Sequence, residues 1–302
     1  MSEETNLIFE KDDFRYKRYL LPAEAFALNA GDDSERDIVD KEVWRNVISL
    51  PDDVSLRTSG NFGMHLKAMT NLVHEWIDPI PAEVLDPDRD PASYTPPPQT
   101  PTDRLILDMY EQFNACIFNA LTGWYWIAIG CLRGALELSV VAAYFEIQPS
   151  QAVFDNWYNG GEELKFGNLC DHLGNASAIR SFETDYKSQH SATVALFDQR
   201  NPHRPAGLVR SIFSSLSDSA HTRPHVAASR FWEGSNGPVF VVDSFIEVYR
   251  CFLEVVAISR IILTLGKSGL RYPDGFELLL AAPEFTPHQI IKFGFEKLWG
   301  RS

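Results

Sequence analysis

The sequence predicts an all-α protein: an antiparallel helical bundle with a small β-hairpin and an acidic helical N-terminal region. Three observations point there. Apolar residues recur every three or four positions through most of the 302-residue chain, the spacing of one helix face. Hydrophobic residues make up 45% and aromatics 12%, enough for a sizeable core. Strand-like runs are confined to 229–232 and 239–241, on either side of Gly234-Ser235-Asn236-Gly237-Pro238, which predicts the hairpin or else an extended loop.

The N-terminal region, residues 1–77, holds two short helical patterns at 14–26 and 41–50, the second with Asp40 as a cap. A clearer pattern lies at 59–76, where Leu66, Met69, Leu72, Val73 and Trp76 share a face. Residues 78–101 carry eight of the 18 prolines. Proline removes backbone donors and drives the preceding residue to extended geometry, so this stretch reads as a linker or surface arm. A helical-bundle domain follows at 102–302.

That domain is organised around residues 102–146. Ile106, Tyr110, Phe113, Ile117, Ala120, Trp124, Ala128, Cys131, Ala135, Leu138, Ala142 and Phe145 keep helical spacing. Apolar residues on the other faces predict a helix surrounded by protein. Thr100 is placed as the N-cap, Pro101 suits the first helical position, and Asp103 favours the positive end of the helix dipole. Gly123 is where a break divides the stretch into two helices. Residues 115–132 are uncharged and approach a bilayer span in length. Asn119 and Thr122 lie inside this run, however, Arg133 and Glu137 follow it directly, and no basic clusters flank it. The stretch therefore reads as the buried helix of a soluble core, with a membrane-associated helical protein as a third functional reading.

Further helices are expected at 150–158, stopped by Asn159-Gly160-Gly161, and at 162–173, 176–197 and 206–221. Ser244 and Glu247 have capping-box spacing ahead of a helix at 245–265 with Gly266 as its stop, and 287–299 reads as a last amphipathic helix.

The net charge of −14 is uneven. Residues 1–100 hold 20 acids against 10 bases, leaving 21 against 17 for the rest. An acidic N-terminal third disfavours non-specific nucleic-acid binding there, because phosphate contacts need Lys and Arg. Cys116, Cys131, Cys170 and Cys251 are scattered in apolar surroundings without ligand spacing, so buried reduced thiols are expected and no metal. The N-terminus lacks a basic region followed by an apolar run, which points to the cytoplasm. No phosphate-binding glycine loop, dinucleotide fingerprint or nucleophile elbow is present, and no cofactor is expected.

Residues 199–230 carry the most chemistry. Arg200, Arg204, Arg210, Arg223 and Arg230 stand against one acid, Asp218, with His203, His221 and His225 among them. Arg210 and His221 are about three helical turns apart, with Ser214 and Ser217 between them on the same side. Such a stripe can bind phosphate or carboxylate, Arg supplying a two-pronged donor; Arg204, Arg210, His221, Arg223 and His225 are the candidates. The alternative is that these arginines solvate loops and pair with acids. Arg133 and Glu137, one turn apart in an apolar run, are expected as a core ion pair, joined to each other or to polar groups of the Arg210 helix. Glu137 with His221 is the candidate acid–base pair.

Arg133-Gly134-Ala135-Leu136-Glu137, then Phe154-Asp155-Asn156-Trp157, then Ser215 to His221 resemble short motifs of uncharacterised bacterial helical families with HEPN-like cores, some from abortive-infection and toxin–antitoxin settings. The resemblance covers residues 104–267 and implies a bundle of antiparallel helices, often dimeric. HEPN nucleases carry Arg followed, after four to six residues, by His. No pair here has that spacing; the nearest, Arg57 and His65, has seven residues between. The leading expectation is thus a non-enzymatic interaction or regulatory protein of a bacterial cytoplasm, in a defence or toxin–antitoxin system, binding a protein partner or itself. The competing one is an enzyme acting on RNA or a nucleotide through residues 199–230.

Overall fold

A computed structural model describes residues 50–77, 100–161, 163–198, 207–220, 238–267, 270, 275, 279–280 and 282–300. The chain divides into two units, Met1–Leu50 and Pro51–Ser302. Apart from Leu50, everything described here belongs to the second. The helices expected at 14–26 and 41–50 and nearly all of the proline-rich stretch lie outside the described residues.

The described chain is all-α. Its elements are α1 (Leu50–Ile77), α2 (Pro101–Leu121), α3 (Tyr125–Ile147), α4 (Gln151–Tyr158), α5 (Phe166–Asn175), α6 (Ser177–His190), α7 (Leu208–Ala220), α8 (Val242–Gly266) and α9 (Gln289–Trp299). α3 is the centre. It lies along α2 and α8 and also touches α7 and α5. Twelve of its residues are buried, from Tyr125 to Phe145. It is the one described helix long and apolar enough to cross a membrane by composition, and here most of its apolar surface meets protein.

Local chemistry explains how α2 begins and ends. The Asp103 amide donates to the Thr100 hydroxyl at 3.3 Å and the Thr100 amide donates back to Asp103 at 3.0 Å, a capping box that satisfies two orphan donors. Lys267, just past α8, donates to both Thr100 Oγ1 (2.8 Å) and Asp103 Oδ1 (2.9 Å). At the other end Gly123 adopts φ +84, which an L-residue resists, and the chain folds back as α3. A Cβ at Gly123 would lie 2.7 Å from the Val239 carbonyl oxygen, so the elbow also admits a close backbone crossing.

That crossing corrects the hairpin expectation. Residues 238–241 form no strand, and there is no strand among the described residues; the turn at 234–237 and residues 229–232 lie outside them. Val241 instead donates its amide to the Tyr125 hydroxyl at 3.1 Å, a side-chain partner where a strand would have supplied backbone. α8 starts at Val242, so Ser244 is a buried residue of its first turn and not its cap. α6 stops at His190, well before residue 197, because Ser191 turns left-handed (φ 51).

α1 kinks at Phe62 (φ −125, ψ 24) and lays Met69, Leu72, Val73 and Trp76 into the same core as α2 and α8. Trp76 meets Phe113 edge-on at 5.0 Å, and Phe62 stacks on Phe245 at 4.3 Å. α9 closes the bundle with Ile290, Ile291, Phe293 and Phe295 buried.

Candidate functional site

Of the sequence-selected residues, Arg210, Ser217 and Arg133 meet around α7. Its first amides are capped by backbone: Leu208 N donates to Ala195 O at 3.0 Å and Val209 N to Leu196 O at 3.1 Å. The segment carrying these accepting carbonyls is held in place by the buried Glu183, whose carboxylate accepts the Phe197 amide at 2.6 Å. Burial pushes the Glu183 carboxyl above its ordinary value, although the Phe197 amide opposes this. Val209, Ile212 and Leu216 turn α7 into the core.

Arg210, Phe213 and Ser217 share the edge of that buried face. Arg210 donates through Nη2 to the Gly167 carbonyl at 2.7 Å and to Asp171 at 2.5 Å, with its side chain 15% exposed. Phe213 stacks on Phe166 of α5 at 3.7 Å. The Arg133 guanidinium of α3 covers Phe213 at 4.7 Å and donates Nε–H to Ser217 Oγ at 3.0 Å. Ser217 donates its own hydroxyl to the Phe213 carbonyl at 2.7 Å. The stripe from Arg210 to Ser217 thus joins α7 to α5 and α3, while Ser214 faces solvent.

Arg133 and Glu137 approach to 3.8 Å, with side chains 31% and 35% exposed. They lie at the surface edge of the core, and Arg133 is tied more closely to α7 than to Glu137. Arg204, His221, Arg223 and His225 lie outside the described residues, so the pairing of Glu137 with His221 has no geometry here.

No family model, curated protein or solved structure matches the chain.

No group of three or more His, Cys, Asp or Glu able to hold a metal occurs among the described residues. Burial drives the Cys116 thiol well above its ordinary value and the Cys170 thiol up to about 12, which keeps both protonated and unreactive. Spacing could not reveal several polar contacts between distant segments. His65 Nε2 meets Glu284 Oε1 at 3.1 Å across 219 positions, and His288 Nε2 meets Glu254 Oε1 at 3.0 Å. His190 Nδ1 lies 2.8 Å from Gln289 Nε2.

Proposed function

We propose that this protein is a non-enzymatic interaction or regulatory protein of the bacterial cytoplasm, binding a protein partner or another copy of itself. A role in a defence or toxin–antitoxin system rests on the motif resemblance alone. One observation carries the reading. Arg210, the described member of the anion-binding candidates, holds α5 to α7 through Asp171 and Gly167. A guanidinium so engaged is a structural brace and has little left to offer a phosphate. Exposed apolar side chains supply the contrasting feature: Phe118 at 63% exposure near the end of α2, Met64 at 76% on α1, and Val242 at 48% opening α8. Met and aromatics are favoured in protein interfaces.

The test pairs two measurements on the full chain. Light scattering after size-exclusion chromatography reads self-association, for the wild type and Phe118→Asp. Titration with RNA and with inorganic phosphate across a salt series reads anion binding, for the wild type, Arg204→Ala and His221→Ala. The reading expects an assembly that Phe118→Asp weakens and no salt-sensitive anion binding. Salt-sensitive RNA binding that Arg204→Ala and His221→Ala abolish, with helicity unchanged, would replace it by the nucleic-acid reading.

A further inference from the structure

α1 is joined to the bundle as a helical ligand would be, by side chains along one face. Phe62, Met69, Leu72, Val73 and Trp76 are buried against the core shared by α2 and α8. Their spacing is that of the anchors of an amphipathic helix lying in an apolar groove. The backbone of α1 runs close along no other described helix, so side chains make the junction. Such contacts ask for shape and apolar surface, which an identical helix from another copy supplies equally well. α1 is also weak as a helix at its middle. Gly60 and Gly63 flank the kink at Phe62, a Cβ at either would meet nothing within 4 Å, and each glycine weakens a helix by about 1 kcal/mol.

The covalent connection does not tie α1 to its own bundle. Trp76 lies against Phe113 with ring centroids 5.0 Å apart, and Phe113 is about 20 Å along α2 from Thr100. Residues 78–99 join the two ends and hold seven prolines. A proline-rich connection of that length reaches about 70 Å, some three times the gap. Proline also favours extension, so a composition of this kind resists doubling back over a short span and suits reaching a neighbouring bundle.

We propose that α1 is exchanged between two copies of the chain, each copy's α1 filling the groove of α2 and α8 in the other. This goes beyond the surface association proposed above, because the exchanged dimer makes no use of Phe118. Closed monomer and exchanged dimer bury the same contacts. Their balance is therefore set by the effective concentration of the tethered helix, about 1 mM for a flexible tether. On that figure about half of the chains are exchanged at about 1 mM, and about one-fiftieth at about 10 μM.

Glu75 and Gly275 can report which copy supplies α1. A Cβ at Gly275 would lie 3.4 Å from Glu75 Cγ, so Glu75→Cys with Gly275→Cys in the full chain brings two thiols within disulfide reach. Mild oxidation then joins α1 to whichever bundle it occupies. After incubation at about 1 mM, non-reducing electrophoresis should show about half of the chains as linked dimers, against almost none at about 10 μM. Adding Phe118→Asp should leave that band unchanged. Disulfides that stay within single chains at the higher concentration, or a band as strong in either single cysteine variant, would overturn the exchange. A dimer seen by light scattering whose disulfides are all within single chains would belong to the surface association alone. Should the cysteine pair disturb folding, the unsubstituted chain decides by size-exclusion chromatography. A dimer collected at about 1 mM should outlast dilution to about 10 μM, because α1 must leave its groove before the copies part. No dimer, or one that dissociates at once, would overturn the proposal.

Discussion

Arg210 shows how a residue chosen for its charge becomes part of the frame. Its guanidinium is 15% exposed and meets two acceptors on α5, one a carboxylate and one a backbone carbonyl. Hydrogen bonds to charged groups of this kind contribute about 1.5–3 kcal/mol. Asp171 is 47% exposed and can turn to water when its partner is removed, which places the expected loss toward the middle of that range. Arg210→Ala should lower the unfolding free energy in urea by about 2 kcal/mol, with Arg210→Lys recovering little because one ammonium cannot span both acceptors. An unchanged midpoint would mean the brace carries no load and would return Arg210 to the list of ligand-binding residues. Lost binding in the alanine variant is therefore no proof of a site. Helical spacing placed Arg210 and Ser217 on one side, and they are. It could not show that Phe213, between them, packs against Phe166 and Arg133 and makes that side an interface.

At the scale of elements, sequence was legible wherever the cause is local. Thr100, Pro101 and Asp103 span four residues and form the cap their order implies. Gly123 marks the break because only glycine takes φ +84 at little cost. Where a distant segment sets the boundary, local reading failed. Ser244 has capping-box spacing, yet α8 begins earlier because Val239 crosses Gly123 and Val241 is bonded to Tyr125. The expected long helix at 176–197 ends at His190, where Ser191 turns left-handed, and the carbonyls of Ala195 and Leu196 beyond it accept the first amides of α7. The elbow gives a sharp prediction. Gly123→Ala meets both a left-handed backbone and the Val239 carbonyl, so the destabilisation should exceed about 2 kcal/mol by thermal or urea unfolding. Gly63→Ala is the control: a Cβ there touches nothing within 4 Å, and the site lies in a helix, so its effect should be small and of either sign. Equal effects at the two glycines would show that the crossing at Val239 imposes no constraint.

At the scale of the whole molecule, α1 decides how much of the chain is needed to fold. The proline-rich stretch that follows α1 separates it in sequence from the bundle, but its side chains belong to the bundle's core. Met69, Leu72, Val73 and Trp76 are all at most 3% exposed. Each such side chain contributes about 1.5–3 kcal/mol when buried, so four together rival the 5–15 kcal/mol that stabilises an ordinary domain. The Phe62–Phe245 stack and the His65–Glu284 bridge add to that. A chain starting at residue 78 should therefore lose cooperative unfolding and bind an apolar dye through the uncovered faces of α2 and α8. A chain starting at residue 50 should unfold cooperatively, because the division at Leu50 leaves α1 with the second unit. Calorimetry of the two truncations separates the cases. Cooperative melting of the shorter chain would show that α1 is an accessory to the bundle; its failure beside a well-behaved longer chain would show that the core is built jointly from residues on both sides of the proline-rich stretch.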